Sequence, residues 1–205
     1  WRVDVPGRGW SSPIVTGAPV FLTSVVNTTG VETALKPLSQ YQSRSFDGPM
    51  TGADLETPSA PLRWVLYDVD FETGAVRWER TLHTATPGAK HEKNSYASET
   101  PVTDGDRVYV YLGYLGLFAF DLDGTQLWHT LMDAPEMRQG WGTASSPVVH
   151  GDRLFLVSDS LEQSFIAAYD TGTGAELWRV DRDEASNWST PFVWENDVRT
   201  EIVTT

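Results

Sequence analysis

The feature that most restricts what this chain can fold into is a phrase that returns three times and closes each time on tryptophan. It reads Asp68-Val-Asp-Phe-Glu-Thr-Gly-Ala-Val-Arg-Trp78, then Ala119-Phe-Asp-Leu-Asp-Gly-Thr-Gln-Leu-Trp128, then Ala168-Tyr-Asp-Thr-Gly-Thr-Gly-Ala-Glu-Leu-Trp178. Apolar and β-branched residues suit strands, and the Asp, Thr and Gly between them suit a tight turn, so each phrase is a strand, a turn and a second strand ending in Trp. Trp78, Trp128 and Trp178 stand 50 residues apart. A unit that recurs at this distance cannot bury its apolar faces alone and must stack on its neighbours.

A second phrase alternates with the first. Pro101-Val-Thr-Asp-Gly-Asp-Arg-Val-Tyr-Val110 matches Pro147-Val-Val-His-Gly-Asp-Arg-Leu-Phe-Leu156, with looser copies at Ser12–Phe21 and Thr190–Arg199. Asp104-Gly105 favours a two-residue hairpin turn, because both residues tolerate positive φ. Each unit therefore has four strands, A to D, placed near 100–104, 107–112, 117–121 and 125–131 in the second unit. In the third they fall near 146–150, 153–158, 165–170 and 175–181. No segment keeps a helical period. The predicted fold class is all-β: a β-propeller of four-stranded antiparallel blades, one domain over 1–205. Blade 1 spans about 10–81 with a loop insertion at 31–60, blade 2 about 98–131, blade 3 about 144–181, and a fourth begins at about 188–205. A seven- or eight-bladed ring needs roughly 350–400 residues, so this is about half of one. Trp1 reads as the closing Trp of a preceding blade. The reading favoured is a fragment of a longer ring; the other is a ring closed by two copies. Either leaves open edges prone to self-association.

The pattern Ala-x-Asp-x-x-Thr-Gly-x-x-x-Trp resembles the tryptophan-docking motif of PQQ-like propeller repeats, found in BamB-like scaffolds and quinoprotein dehydrogenases. The third phrase fits every position; the first has Asp68 in place of Ala, and the second is one residue short. The resemblance implies that Trp78, Trp128 and Trp178 pack between blades, and that the protein acts outside the cytoplasm, in the periplasm or secreted.

In such blades the B-to-C and D-to-A loops share one face, and the unusual residues of this chain fall there. The insertion carries Tyr41 and Phe46 as candidate anchors, and the D-to-A loop after it holds Lys90-His91-Glu92-Lys93-Asn94-Ser95-Tyr96. The corresponding loops supply Arg8 and Trp10, then Arg138 and Trp141, then Asn187 and Trp188. The candidate ligand-binding set is therefore Trp10, His91, Lys93, Asn94, Tyr96, Arg138, Trp141, Asn187 and Trp188, ringing a funnel for a protein, peptide or glycan. The competing reading is that Trp10, Trp141 and Trp188 cap the blade core.

Several chemistries find no support. The chain has no cysteine, which excludes disulfides, thiolate metal sites and a cysteine nucleophile. His83, His91, His129 and His150 lack metal-ligand spacing. Asp121-Leu-Asp123-Gly124 reads as a β-turn rather than a calcium loop, since the later ligands are missing. Asn27-Thr-Thr and Asn187-Trp-Ser match the glycosylation sequon. Neither a nucleophile elbow nor a phosphate loop is present. A net charge of −13 argues against nucleic acid as a partner. The longest apolar run, Val108 to Phe120, is too short and too interrupted by glycine to cross a membrane as a helix. The expectation is a non-enzymatic binding or scaffold propeller with no metal, catalytic residue or cofactor. The alternative is part of a PQQ- and calcium-dependent quinoprotein dehydrogenase.

Overall fold

The computed structural model describes residues 1–29 and 55–205. Most of the insertion, with Tyr41 and Phe46, lies outside the described residues. The strands in chain order are β1 (Ile14–Val15), β2 (Pro19–Asn27), β3 (Leu55–Glu56), β4 (Leu62–Asp70), β5 (Val76–Ala85) and β6 (Lys90–His91). They continue with β7 (Val102–Thr103), β8 (Arg107–Leu112), β9 (Gly116–Asp121), β10 (Gln126–Thr130), β11 (Val148–His150) and β12 (Arg153–Ser158). The last are β13 (Ser164–Asp170), β14 (Glu176–Arg182), β15 (Phe192–Glu195) and β16 (Thr200–Val203). Three antiparallel sheets have the orders β1-β2-β4-β5, β7-β8-β9-β10 and β11-β12-β13-β14, and β15-β16 form a further hairpin. These are propeller blades, present here as an open set rather than a closed ring. Among the described residues, helical structure is limited to a 3-10 turn at Arg138–Gly140.

Every innermost strand begins on the residue after a proline: Pro13, Pro101, Pro147 and Pro191 precede β1, β7, β11 and β15. Proline has no N–H to give to a ladder, so regular pairing starts one residue later.

The central strands are apolar on both faces because each blade is covered on both sides. Along β8, Val108, Val110 and Leu112 pack toward blade 1 against Phe21, Trp64 and Leu66. Tyr109 and Tyr111 alternate with them and pack toward blade 3 against Leu154, Leu156 and Tyr169. Side chains two residues apart share a face of a strand, so one six-residue strand serves two cores.

Blades are also tied by hydrogen bonds at their outer and inner ends. Outside, the Trp1 indole donates to Phe71 O at 2.8 Å, Trp78 to Leu122 O at 3.1 Å, and Trp128 to Thr171 O at 2.9 Å. Each acceptor lies in the C-to-D turn of the following blade. The ring settles on a turn glycine whose Cβ position it occupies: a Cβ on Gly174 would stand 2.5 Å from Trp128 Cε3. A register shift beside each Trp, at Asp68/Val69, Gln126/Trp128 and Ala168/Tyr169, leaves Arg77, Leu127 and Leu177 unpaired. Such a bulge turns the following side chain, here the indole. Inside, Ser12 N donates to Thr100 Oγ1 at 3.1 Å, Thr100 N to Ser146 Oγ at 2.9 Å, and Ser146 N to Thr190 Oγ1 at 3.0 Å.

Gly151 (φ +58°) has open space where a Cβ would go, whereas Gly174 (φ +72°) has an indole there. Gly151→Ala should cost about 1 kcal/mol, the strain of a side chain in the left-handed region. Gly174→Ala should cost roughly 2–4 kcal/mol, since Trp128 must also shift. Urea unfolding of both variants measures the difference, and equal losses would show that the indole does not hold the blades together.

Candidate functional site

The sequence between D of one blade and A of the next is poor in regular structure, so its backbone groups must find partners elsewhere. They find them in the neighbouring loops. Trp10 N donates to Ala97 O at 3.0 Å and to Ser95 Oγ at 3.2 Å. The Asn94 amide donates to Trp141 O at 2.7 Å and Thr143 O at 3.3 Å, and its carbonyl accepts from Ser95 N and Ser98 Oγ. Trp188 Nε1 donates to Gly142 O at 2.7 Å, and Arg138 N to Ser186 Oγ at 2.8 Å. The loops of successive blades are thus laced side by side.

The end of the insertion joins this lacing. β3 pairs antiparallel with β6, Leu55 opposite His91 and Glu56 opposite Lys90. That ribbon walls a cavity of about 290 Å³ whose lining includes Arg8, Trp10, Glu56, Lys90, Asn94 and Tyr96. The Lys90 ammonium is buried, 2.8 Å from Glu56 Oε2 and 5.1 Å from the centre of the Tyr96 ring. Arg8 Nη1 lies 3.6 Å from Glu56 Oε1, so one carboxylate stands between two cations. Arg8 Nη2 is buried with no hydrogen-bond partner. The Trp10 indole is 49% exposed, a large apolar surface left facing solvent beside these charges.

The structure divides the nine candidate residues into groups. Trp10, Asn94 and Tyr96 line the cavity. Tyr96 is buried, with its hydroxyl donating to Gly88 O at 2.6 Å, and burial pushes its phenol pKa up. His91, Trp141 and Trp188 form an adjoining aromatic run, with centroid separations of 5.9 and 5.4 Å. Lys93 follows in the same loop, its N–H donating to His91 Nδ1 at 3.0 Å. Arg138 and Asn187 sit farther along; Asn187 Nδ2 donates to Thr205 Oγ1 at 2.9 Å. Glu56 was not singled out from sequence, because a two-residue ribbon at the end of an irregular insertion carries no periodic signal.

Of the buried carboxyls, the sequence did not single out Glu99 and marked Asp68 only as a departure from the motif. Glu99 is buried beside the D-to-A loops and accepts from Thr143 Oγ1, Gly113 N at 3.2 Å and Ser98 N at 3.2 Å. Burial raises its pKa, and these donors only partly oppose that. Asp68 takes the place filled by buried Ala119 and Ala168 opposite the other two tryptophans. Arg77 Nε is 3.1 Å from Asp68 Oδ2, near enough to pair in charge yet off the line of a hydrogen bond. Burial outweighs that arginine, and the Asp68 pKa is raised. Among the described residues, no three His, Asp or Glu side chains converge to hold a metal ion.

Stacked four-stranded blades with laced D-to-A loops define a β-propeller. The chain belongs to the PQQ-like propeller-repeat family: residues 62–198 match the family model described as outer membrane protein assembly factor BamB. No curated protein sequence is matched. Among solved structures, a europium-containing methanol dehydrogenase is 14% identical, with a TM-score of 0.52 over 86% of this chain and 25% of its own. BamB from Moraxella catarrhalis is 22% identical, with a TM-score of 0.40 over 58% of this chain and 33% of its own. Quinohemoprotein alcohol dehydrogenase from Comamonas testosteroni is 21% identical, with a TM-score of 0.42 over 59% of this chain and 19% of its own. The chain thus spans between a fifth and a third of these proteins, and the likeness is one of fold.

Glu99 and Asp68 bind protons more tightly folded than unfolded, so folding stability falls as pH rises from the ordinary carboxyl range through their raised values. Glu99→Gln should flatten the decline in Tm between mildly acidic and neutral pH, leaving the share due to Asp68. Thermal unfolding across that range checks it; an unchanged slope would mean that Glu99 is ionised throughout.

Proposed function

We propose that this chain is a non-catalytic binding module that engages a protein, peptide or glycan through its loop face, outside the cytoplasm. The observation that carries the reading is the cavity where the insertion meets the D-to-A loops. Its Arg8, Glu56 and Lys90 are committed to one another in charge, while an indole and a guanidinium nitrogen are left for a ligand. A general acid–base pair needs a titratable group free to exchange a proton with substrate. Here the lining carboxylate closest to the cations is held by both of them. The family's description as an assembly factor supports a macromolecular partner, and membership of that family supports an extracytoplasmic site of action. No helix among the described residues is long and apolar enough to cross a membrane.

Self-association is part of the same proposal. Leu177, Trp178 and Val180 on β14, and separately Phe192 and Trp194 on β15, are exposed apolar side chains of the kind blades elsewhere cover. Val180→Lys should shift the sedimentation of the protein toward monomer; unchanged association would place the contact elsewhere.

Thermal unfolding with PQQ and calcium tests the reading against a quinoprotein. A ligand of the native state raises Tm. No shift is expected, and a saturable rise would overturn the non-catalytic reading. Peptide and glycan arrays probed with the protein should give bound features that weaken roughly tenfold or more in Trp10→Ala; arrays on which Trp10→Ala binds as well as the wild type would remove the loop face from the proposal.

A further inference from the structure

The polar groups of the cavity restrict what chemistry it accepts. Arg8 offers a buried donor with no partner, and the same guanidinium lies 3.6 Å from Glu56, an acceptor. A ligand atom that only accepts, such as a carboxylate, would meet Glu56 as well as Arg8. A group that only donates, such as an ammonium, would find acceptors in Glu56 and Glu92, which both line the cavity, but would also meet the positive charge of Arg8 and the buried Lys90. A hydroxyl does both, accepting from a guanidinium and donating to a carboxylate at once. Beside this pair stands the half-exposed indole of Trp10, and the rim adds the hydroxyls of Thr57 and Ser59. An apolar platform next to a donor and acceptor rim complements a ring with a C–H face and a hydroxyl edge. The volume, about 290 Å³, lies at the lower end of small-molecule sites, which suits one ring rather than an extended segment. A neutral ring also avoids the repulsion that a net charge of −13 imposes on anions.

We propose that this cavity binds a single neutral sugar unit, free or at the end of a glycan, with its C–H face on Trp10 and its hydroxyls shared between Arg8 and Glu56. This rests on the binding-module reading and names its ligand. Charged residues thus orient an uncharged ligand: the ion pair is pre-formed, and the sugar inserts a hydroxyl at a guanidinium edge already desolvated.

Saturation-transfer NMR on the whole chain, with methyl glycosides of glucose, galactose, mannose and N-acetylglucosamine as probes, tests it. Transfer to the ring C–H protons of at least one is expected, weakened roughly tenfold or more in Trp10→Ala and lost in Arg8→Met. The exposed Trp10 side chain makes its variant a safe second measurement should Arg8→Met fail to fold. No transfer to any neutral glycoside, or transfer that survives Trp10→Ala, would overturn the proposal. So would preference for galacturonate over galactose, since it would show that Arg8 binds as an anion receptor. Peptide features without glycan features on the arrays would leave the binding module standing and sink the sugar alone.

Discussion

Each blade depends on being held at both ends by the next. An isolated four-stranded sheet with two apolar faces would not be stable in water. The indole bonds and glycine seats fix the outer ends, and the run of N–H to hydroxyl bonds through Ser12, Thr100, Ser146 and Thr190 fixes the inner ends. Between them, strands such as β8 feed two cores with alternate side chains. The hydrogen bonds set where one blade lies on the next, and apolar burial supplies most of the driving force. A net hydrogen bond contributes only about 1 kcal/mol, so the bonds are better understood as register marks than as the main stabiliser.

The four-strand unit was legible because strand and turn chemistry agree locally and recur. Asp70 and Asp170 show why the turn recurs: each carboxylate accepts from the backbone and hydroxyl of the Thr three residues on, at 2.8 and 2.7 Å. Those bonds hold both aspartate pKa values low. Such contacts are encoded within four residues, so a sequence displays them. The inner row is different. Ser and Thr before the four prolines are plain in the sequence, yet the hydroxyls of Thr100, Ser146 and Thr190 each serve a donor 44 to 88 residues away. Nothing local announces that partner. Arg77, Leu127 and Leu177, the bulged residues, likewise look like ordinary strand positions until the register is known.

The loop face was legible as a neighbourhood and not as a geometry. That Trp10, Asn94 and Tyr96 belong to adjoining loops follows from the strand order. That Tyr96 is turned inward while Trp10 stays half exposed depends on packing against Trp64 and Tyr114, which no spacing rule gives. Glu99 shows the same limit. Set between Ser98 and Thr100 in a polar stretch, it reads as a surface residue, but the chain dives between blades at that point and supplies donors for its carboxyl.

The charge arrangement of the cavity also follows from the blade scaffold. Arg8 is fixed by its backbone pairing with Val25 on β2, whereas Lys90 and Glu56 are held opposite each other in the β3–β6 ribbon. Lys90 is buried and needs a counter-charge, because an ammonium left alone there would carry a large desolvation cost. Glu56 therefore belongs first to Lys90, at 2.8 Å, and only second to Arg8, at 3.6 Å. The difference leaves Arg8 under-satisfied while Lys90 is complete. Glu56 has one oxygen for each cation, but only the one facing Lys90 is within hydrogen-bond distance, which leaves Arg8 short. Here the residue left short is the planar one, with several donors in a fixed fork, set beside an exposed indole.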